Sequence, residues 1–184
     1  MYEKKINARV RERRSFAVNL QLKEVDAKGR FAGYASVFNV IDNQRDVVVR
    51  GAFSRTLKGR IDDIKLLWQH QQEEPIGTFD RMFEDKRGLY VEGALLLNIR
   101  RAQEAHTLMR AKAVSGLSIG YSPVVYNTNP ETGVRKLSDI DLWEVSLVTF
   151  PANSSATVTV VKQAWPILKQ YEAQKMGRGL REQY

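Results

Sequence analysis

Residues Gly116-Leu117-Ser118-Ile119-Gly120-Tyr121-Ser122 read GLSIGYS, and two incompatible folds can be read from them. The first five residues make G-x-S-x-G, which in α/β-hydrolases sets a serine on a sharp strand-to-helix turn. The whole stretch also alternates. Leu117, Ile119 and Tyr121 fall on one face of an extended chain, and Ser118, Gly120 and Ser122 on the other. A hydrolase elbow needs a histidine after the serine. The chain has two histidines, His70 and His106, and both precede Ser118. It also lacks the alternating strand–helix pattern of that fold. The stretch therefore reads as a β-strand.

The same alternation continues outward. Strands are expected over Ala17–Leu22, Phe31–Phe38, Val47–Val49 and Ile64–His70, the last opening into a polar QHQQEEP loop. Ile76–Met82 and Gly88–Leu96 read as a hairpin around the charged EDKR turn. Leu117–Tyr126, Leu137–Phe150 and Ala156–Val161 complete the set. Helix formers at helical spacing predict a helix over Ile99–Ala113. The segment AFSRTLKG after Gly51 could add one or two helical turns, and ILKQYEAQKM near the C-terminus suits another helix. About eight short strands with inserted helices argue for a mainly β chain, a barrel or a sandwich with helical decoration.

Composition narrows the functions. No cysteine is present, which excludes disulfides, thiolate metal sites and cysteine nucleophiles. Two histidines fall short of the three or four ligands a zinc site uses, so neither metal nor cofactor is expected. No apolar run reaches the ~20 residues that cross a bilayer, and no membrane partner is expected. The net charge of +8 sits mainly at the ends. Residues 1–14 carry six basic and two acidic side chains, and residues 163–184 four and two. We read 1–14 as a basic extension, 15–162 as the folded domain and 163–184 as a basic, helix-compatible tail. A nucleic-acid-binding barrel would interleave its basic residues with aromatics on strands, so no specific nucleic-acid partner is expected.

Three residues stand out inside the domain. Ser118 on the outer strand face, between two glycines, has room beside it for a substrate backbone; a plain polar face would use the same residue types. His70 closes a strand at the start of a polar loop. Glu144 alternates with Trp143, Val145 and Leu147 and shares its face with Ser146. A carboxylate among large apolar neighbours usually has a partner, an arginine or another polar group. His106 is expected to cap or solvate its helix.

Four ordered blocks then carry a resemblance. GYASVFNVIDNQRDVVVRGAFSRTL (33–57), LLWQHQQEEPIGTF (66–79), SGLSIGY (115–121) and LWEVSLVTFPANSSA (142–156) resemble conserved blocks of the prohead (procapsid maturation) serine proteases of tailed phages. That family is itself similar to the herpesvirus assemblins. The resemblance implies a single closed β-barrel surrounded by a few α-helices. It implies His70 as general base, Ser118 as nucleophile and Glu144 as orienting group, with Ser115 or Ser122, and Asp141, as neighbouring alternatives. The assemblin pattern would put an oxyanion-hole donor near Thr149–Asn153. One departure is Gln71, where the family commonly has aspartate.

The implied activity is that of a serine endopeptidase acting inside the prohead, in the host bacterial cytoplasm. It would cut a separate scaffold protein or the scaffolding segment of the major capsid protein, then itself, and a homodimer is worth testing. The basic ends would dock on acidic scaffold or be self-cleavage sites. The competing expectation is a non-catalytic capsid-interior protein that binds scaffold.

Overall fold

A computed structural model describes residues 25–150 in full and, beyond them, the backbone of three strands. Those three are β1 (Lys4–Lys5), β2 (Ser15–Asn19) and β10 (Asn153–Thr157). Between them lie β3 (Arg30–Val37), β4 (Asp46–Val48), β5 (Lys65–Trp68), β6 (Gln71–Glu84), β7 (Gly88–Leu95), helix α1 (Arg100–Arg110), β8 (Gly116–Thr128) and β9 (Arg135–Val148). The main sheet path runs β10-β2-β8-β9-β5-β6-β7-β3, with β1 beside β8 and β4 beside β9.

The sheet is mixed. β5 and β4 both run parallel to β9, β10 runs parallel to β2, and the remaining ladders are antiparallel. The long hairpin β8–β9 forms its spine, and its inner face carries Leu117, Ile119, Tyr121, Val145 and Leu147, all at most 1% exposed. Facing them from the other strands are Leu66, Ile76 and Leu89, each under 2% exposed. Each such side chain contributes roughly 1.5–3 kcal/mol of burial. The core side of GLSIGYS is thus the apolar side.

The expected closed barrel is corrected here. The sheet curls through 214° about its axis and leaves its edges 7 Å apart, an open half-barrel. Hydrogen-bonded strands lie ~4.7–4.9 Å apart, so edges at this separation share no ladder. The expectation of several surrounding helices is also corrected, because among the described residues α1 is the one α-helix. Residues 51–57 form successive turns rather than a helix, opening at Gly51 with φ 95° and followed by Gly59 at φ 73°. Thr56 spends its hydroxyl on the Ile140 carbonyl, 2.8 Å away, which ties these turns to β9. The expected C-terminal helix lies outside the described residues, as do the basic ends apart from the Lys4–Lys5 backbone and most of the strand expected over Ala156–Val161.

Helix α1 packs Ala102, Ala105 and Met109 inward, and Arg101 reaches Glu74 on β6 at 3.2 Å. It stops at a left-handed Lys112 (φ 59°), where Ala113 N–H bonds Leu108 C=O and Lys112 N–H bonds Met109 C=O. This six-to-one and five-to-two pattern satisfies the last carbonyls and turns the chain into β8. The β6–β7 turn is held by Asp85 Oδ1, which accepts the N–H groups of Arg87 and Gly88 at 2.7 and 3.0 Å.

At the far end of the hairpin a buried ion pair fastens β4 to β9. Asp46 and Arg135 are register partners. Arg135 Nε and an Nη meet the two Asp46 oxygens at 2.8 and 2.6 Å, and Tyr121 Oη donates to Asp46 Oδ2 at 2.9 Å. Burial, then the adjacent carboxylate, pushes the Tyr121 hydroxyl well above its ordinary pKa. Arg135→Met leaves a fully buried carboxylate without its guanidinium and should cost about 3–5 kcal/mol. Urea unfolding at pH 7 measures it, and a loss below about 1 kcal/mol would refute this role.

Candidate active site

Because β5 runs parallel to β9 in the register Lys65↔Glu144 to Trp68↔Leu147, the end of β5 arrives beside the second half of β9. The chain then reverses at once. Trp68 pairs with Gln71, so Gln69 and His70 are the two central residues of a tight hairpin turn. Their φ values are 50° and 60°, the positive pair that marks a type I′ connection. Such turns favour Asn-Gly; here neither residue is glycine. Each left-handed side chain costs of order 1–3 kcal/mol and persists only where its surroundings hold it. The expected QHQQEEP loop is therefore corrected: QQEEP already belongs to β6, and only the two-residue turn is irregular.

The turn is held from several points. Gln69 N–H donates to the Leu147 carbonyl at 3.0 Å. The Gln69 side chain donates to Thr149 Oγ1 at 2.7 Å and accepts from Thr149 N–H at 3.4 Å. His70 N–H donates to Ser146 Oγ at 3.0 Å.

From this turn the imidazole reaches Glu144, with Nδ1 2.6 Å from Oε1. The second carboxylate oxygen accepts a 2.7 Å hydrogen bond from Ser146 Oγ. The Glu144 side chain is 4% exposed and that of His70 24%, so the carboxylate is sealed off while the ring keeps an edge toward solvent. An ionised carboxylate only accepts hydrogen bonds, so opposite one the ring nitrogen that carries the proton is Nδ1.

Gly120 makes room for this arrangement. It is the register partner of Glu144 on β8. A Cβ built there would lie 2.7 Å from both Cγ and Cδ of Glu144 and closer still to Oε1. The free space expected beside Ser118 is thus taken, at Gly120, by the carboxylate itself.

Ser118 lies two register pairs along, on the same face of the sheet, opposite Ser146. Directly opposed side chains on antiparallel strands have Cβ atoms ~4.5–5.5 Å apart. This puts the Ser118 hydroxyl within the neighbourhood of the turn. It faces away from the core, as alternation requires, yet it is fully buried rather than open. Its Oγ has no hydrogen-bond partner. Nucleophile–base hydrogen bonds in unliganded sites are often long and tighten only with substrate. Burial removes solvent competition for that hydroxyl, so any donor or acceptor brought to it counts heavily.

The neighbouring candidates are engaged elsewhere. Asp141 pairs with Arg60 at 3.0 Å and Arg55 at 3.9 Å. Ser122, four residues beyond Ser118 along β8, is paired with Asp141 in the ladder. Ser115 precedes β8. His106 Nε2 lies 2.9 Å from the Asp26 carbonyl and ties α1 to the loop before β3. Within the segment expected to supply an oxyanion donor, Thr149 N–H is already directed at Gln69. Among the described residues no cluster of three or more His, Asp or Glu could hold a metal ion. Sequence reasoning placed Ser146 on the face of Glu144 but gave it no part; its position two residues from a buried carboxylate was the available signal.

The family model described as Caudovirus prohead serine protease matches residues 18–170. The chain belongs to this family. It is 35% identical over 138 residues to the prohead protease of Enterobacteria phage HK97, covering 73% of this chain and 61% of that protein. It is 34% identical over 152 residues to the capsid polyprotein of Pseudomonas phage PAJU2, covering 78% of this chain and 22% of the polyprotein. It therefore spans less than two thirds of either relative. The solved bacteriophage T4 capsid assembly protease shares the fold, with a TM-score of 0.52 at 12% identity, over 65% of this chain and 80% of that one.

In this prohead protease family member, Gly120→Ala should displace the Glu144 carboxylate from both His70 and Ser146. Overpacking of this kind typically costs about 1–3 kcal/mol. Urea denaturation measures it, and unchanged stability would show that Glu144 swings aside freely.

Proposed function

We propose that the chain is a serine endopeptidase of capsid maturation, with Ser118 as nucleophile, His70 as general base and Glu144 as the group that orients His70. The observation that carries this reading is the 2.6 Å contact between His70 Nδ1 and a buried Glu144, on the strand beside the one that bears Ser118. Nε2 takes the Ser118 proton as Oγ attacks a peptide carbonyl, and the imidazolium then protonates the leaving amine. Water, deprotonated by the same nitrogen, releases the acyl group and restores the serine. Glu144 holds the tautomer that leaves Nε2 unprotonated and stabilises the cation that forms between the steps.

The substrates that fit the family are capsid-assembly proteins: a scaffold, or the scaffolding segment of the major capsid protein. Cleavage would take place inside the immature capsid, followed by cleavage of the protease itself. A second reading, a scaffold-binding protein that no longer cuts, is favoured by one observation, the buried Ser118 hydroxyl without a partner.

A fluorophosphonate, which labels activated serines without regard to peptide sequence, separates the two. Intact mass and peptide mapping should find one adduct on Ser118 of the parent chain and none on Ser118→Ala. His70→Ala should slow labelling by roughly 10²–10⁴-fold, the usual worth of general acid–base help. Absence of label on Ser118 in the parent would favour the binding protein.

A further inference from the structure

Three hydrogen bonds among His70, Ser146 and Glu144 close on themselves. The His70 backbone N–H donates to Ser146 Oγ (3.0 Å), Ser146 Oγ donates to Glu144 Oε2 (2.7 Å), and Glu144 Oε1 meets His70 Nδ1 (2.6 Å). The loop thus holds one residue, His70, at both its main chain and its ring. Ser146 is fully buried, so its hydroxyl has no solvent to turn to, and it uses one donor and one acceptor within this circuit. The register supports the arrangement from both sides: Ser146 pairs with Ser118 on β8 and with Leu67 on β5.

We propose that Ser146 is a positioning residue of the site, setting the imidazole relative to Ser118 through this closed circuit. The inference rests on the Ser118–His70–Glu144 reading. A carboxylate bonded through one oxygen can rotate about its last bond, and bonding the second oxygen to Ser146 stops that rotation. A histidine at positive φ on a two-residue turn has no regular secondary structure to hold its backbone, and the bond from its N–H to Ser146 supplies the restraint. A hydroxyl is the one small group able to accept from the histidine N–H while donating to the carboxylate. Asp or Asn at 146 would fail at one end or overfill the buried site. The preceding residue of the turn works in the same sense, since Gln69 binds Thr149 and Leu147.

The test is the rate of fluorophosphonate labelling of Ser118 on the full chain, resolved into its maximal rate (kinact) and half-saturating concentration (KI). Ser146→Ala should lower kinact on the order of 10–100-fold, as small misplacements of a reacting group do. KI should stay close to the parent value, while the urea midpoint falls because Glu144 Oε2 and the His70 N–H lose a buried partner. A purely structural hydroxyl would move the urea midpoint in the same way and leave kinact alone. Threonine keeps the hydroxyl and valine has its shape without it, so Ser146→Thr should label at least about tenfold faster than Ser146→Val. That comparison decides the matter if the alanine variant does not fold. Parent labelling at Ser118 with an unchanged kinact in Ser146→Ala, or equal rates for Thr and Val, overturns the role of Ser146 and leaves the catalytic reading standing. Failure of the parent chain to label at Ser118 overturns both.

Discussion

The parallel pairing of β5 with β9 is the constraint on which the site depends. It sets Trp68 beside Leu147, so that the chain leaving β5 must turn directly over Glu144 and Ser146. An antiparallel partner would have brought a loop of some other origin to that position. Parallel neighbours need a long crossover, and here it comprises β6, β7, α1 and β8. The helix stop at Lys112 then delivers Ser118 to the strand on the other side of β9. The serine and the carboxylate thus sit on the adjacent strands β8 and β9, and the histidine on the turn that follows β5, the next strand of the same sheet.

The price of that geometry is local. Two residues in the left-handed region, a carboxylate out of water and a serine hydroxyl without a partner each cost free energy. Compensation is visible for the first two: Gln69 and His70 are bonded to β9, and both Glu144 oxygens are bonded. The Ser118 hydroxyl remains uncompensated. The opposite end of the hairpin uses a similar solution for a different purpose. Asp46, Arg135 and Tyr121 satisfy one another in the core and lock β4 onto β9.

Much of this was legible from residue order. Alternation in GLSIGYS and LWEVSLV gave the correct faces for Ser118 and Glu144, because the side-chain period of a strand is fixed by backbone geometry. The hairpin at EDKR and the helix in 100–110 followed from turn chemistry and helix formers. Closure did not follow, because strand count says nothing of how far a sheet curls, and 7 Å between edges is too wide for a ladder. The tight turn at Gln69-His70 was also missed, since neither residue carries the usual preference for positive φ and the polar run after it resembles a loop. Ser146 was visible but mute. A serine on a strand gains meaning only from what lies across the sheet and above it.

The sequence by itself determined the faces of the strands, the absence of thiol chemistry, and a family resemblance resting on four ordered blocks. Those depend on local periodicity and on residue identity, both of which are written in one dimension. Only the tertiary structure decided which strands are neighbours, that His70 meets Glu144 and not Asp141 nearby, and that the carboxylate occupies the space left by Gly120. The His70–Glu144 contact alone joins residues 74 positions apart. Such contacts exist because of one register among the many that the same pattern of alternation would permit.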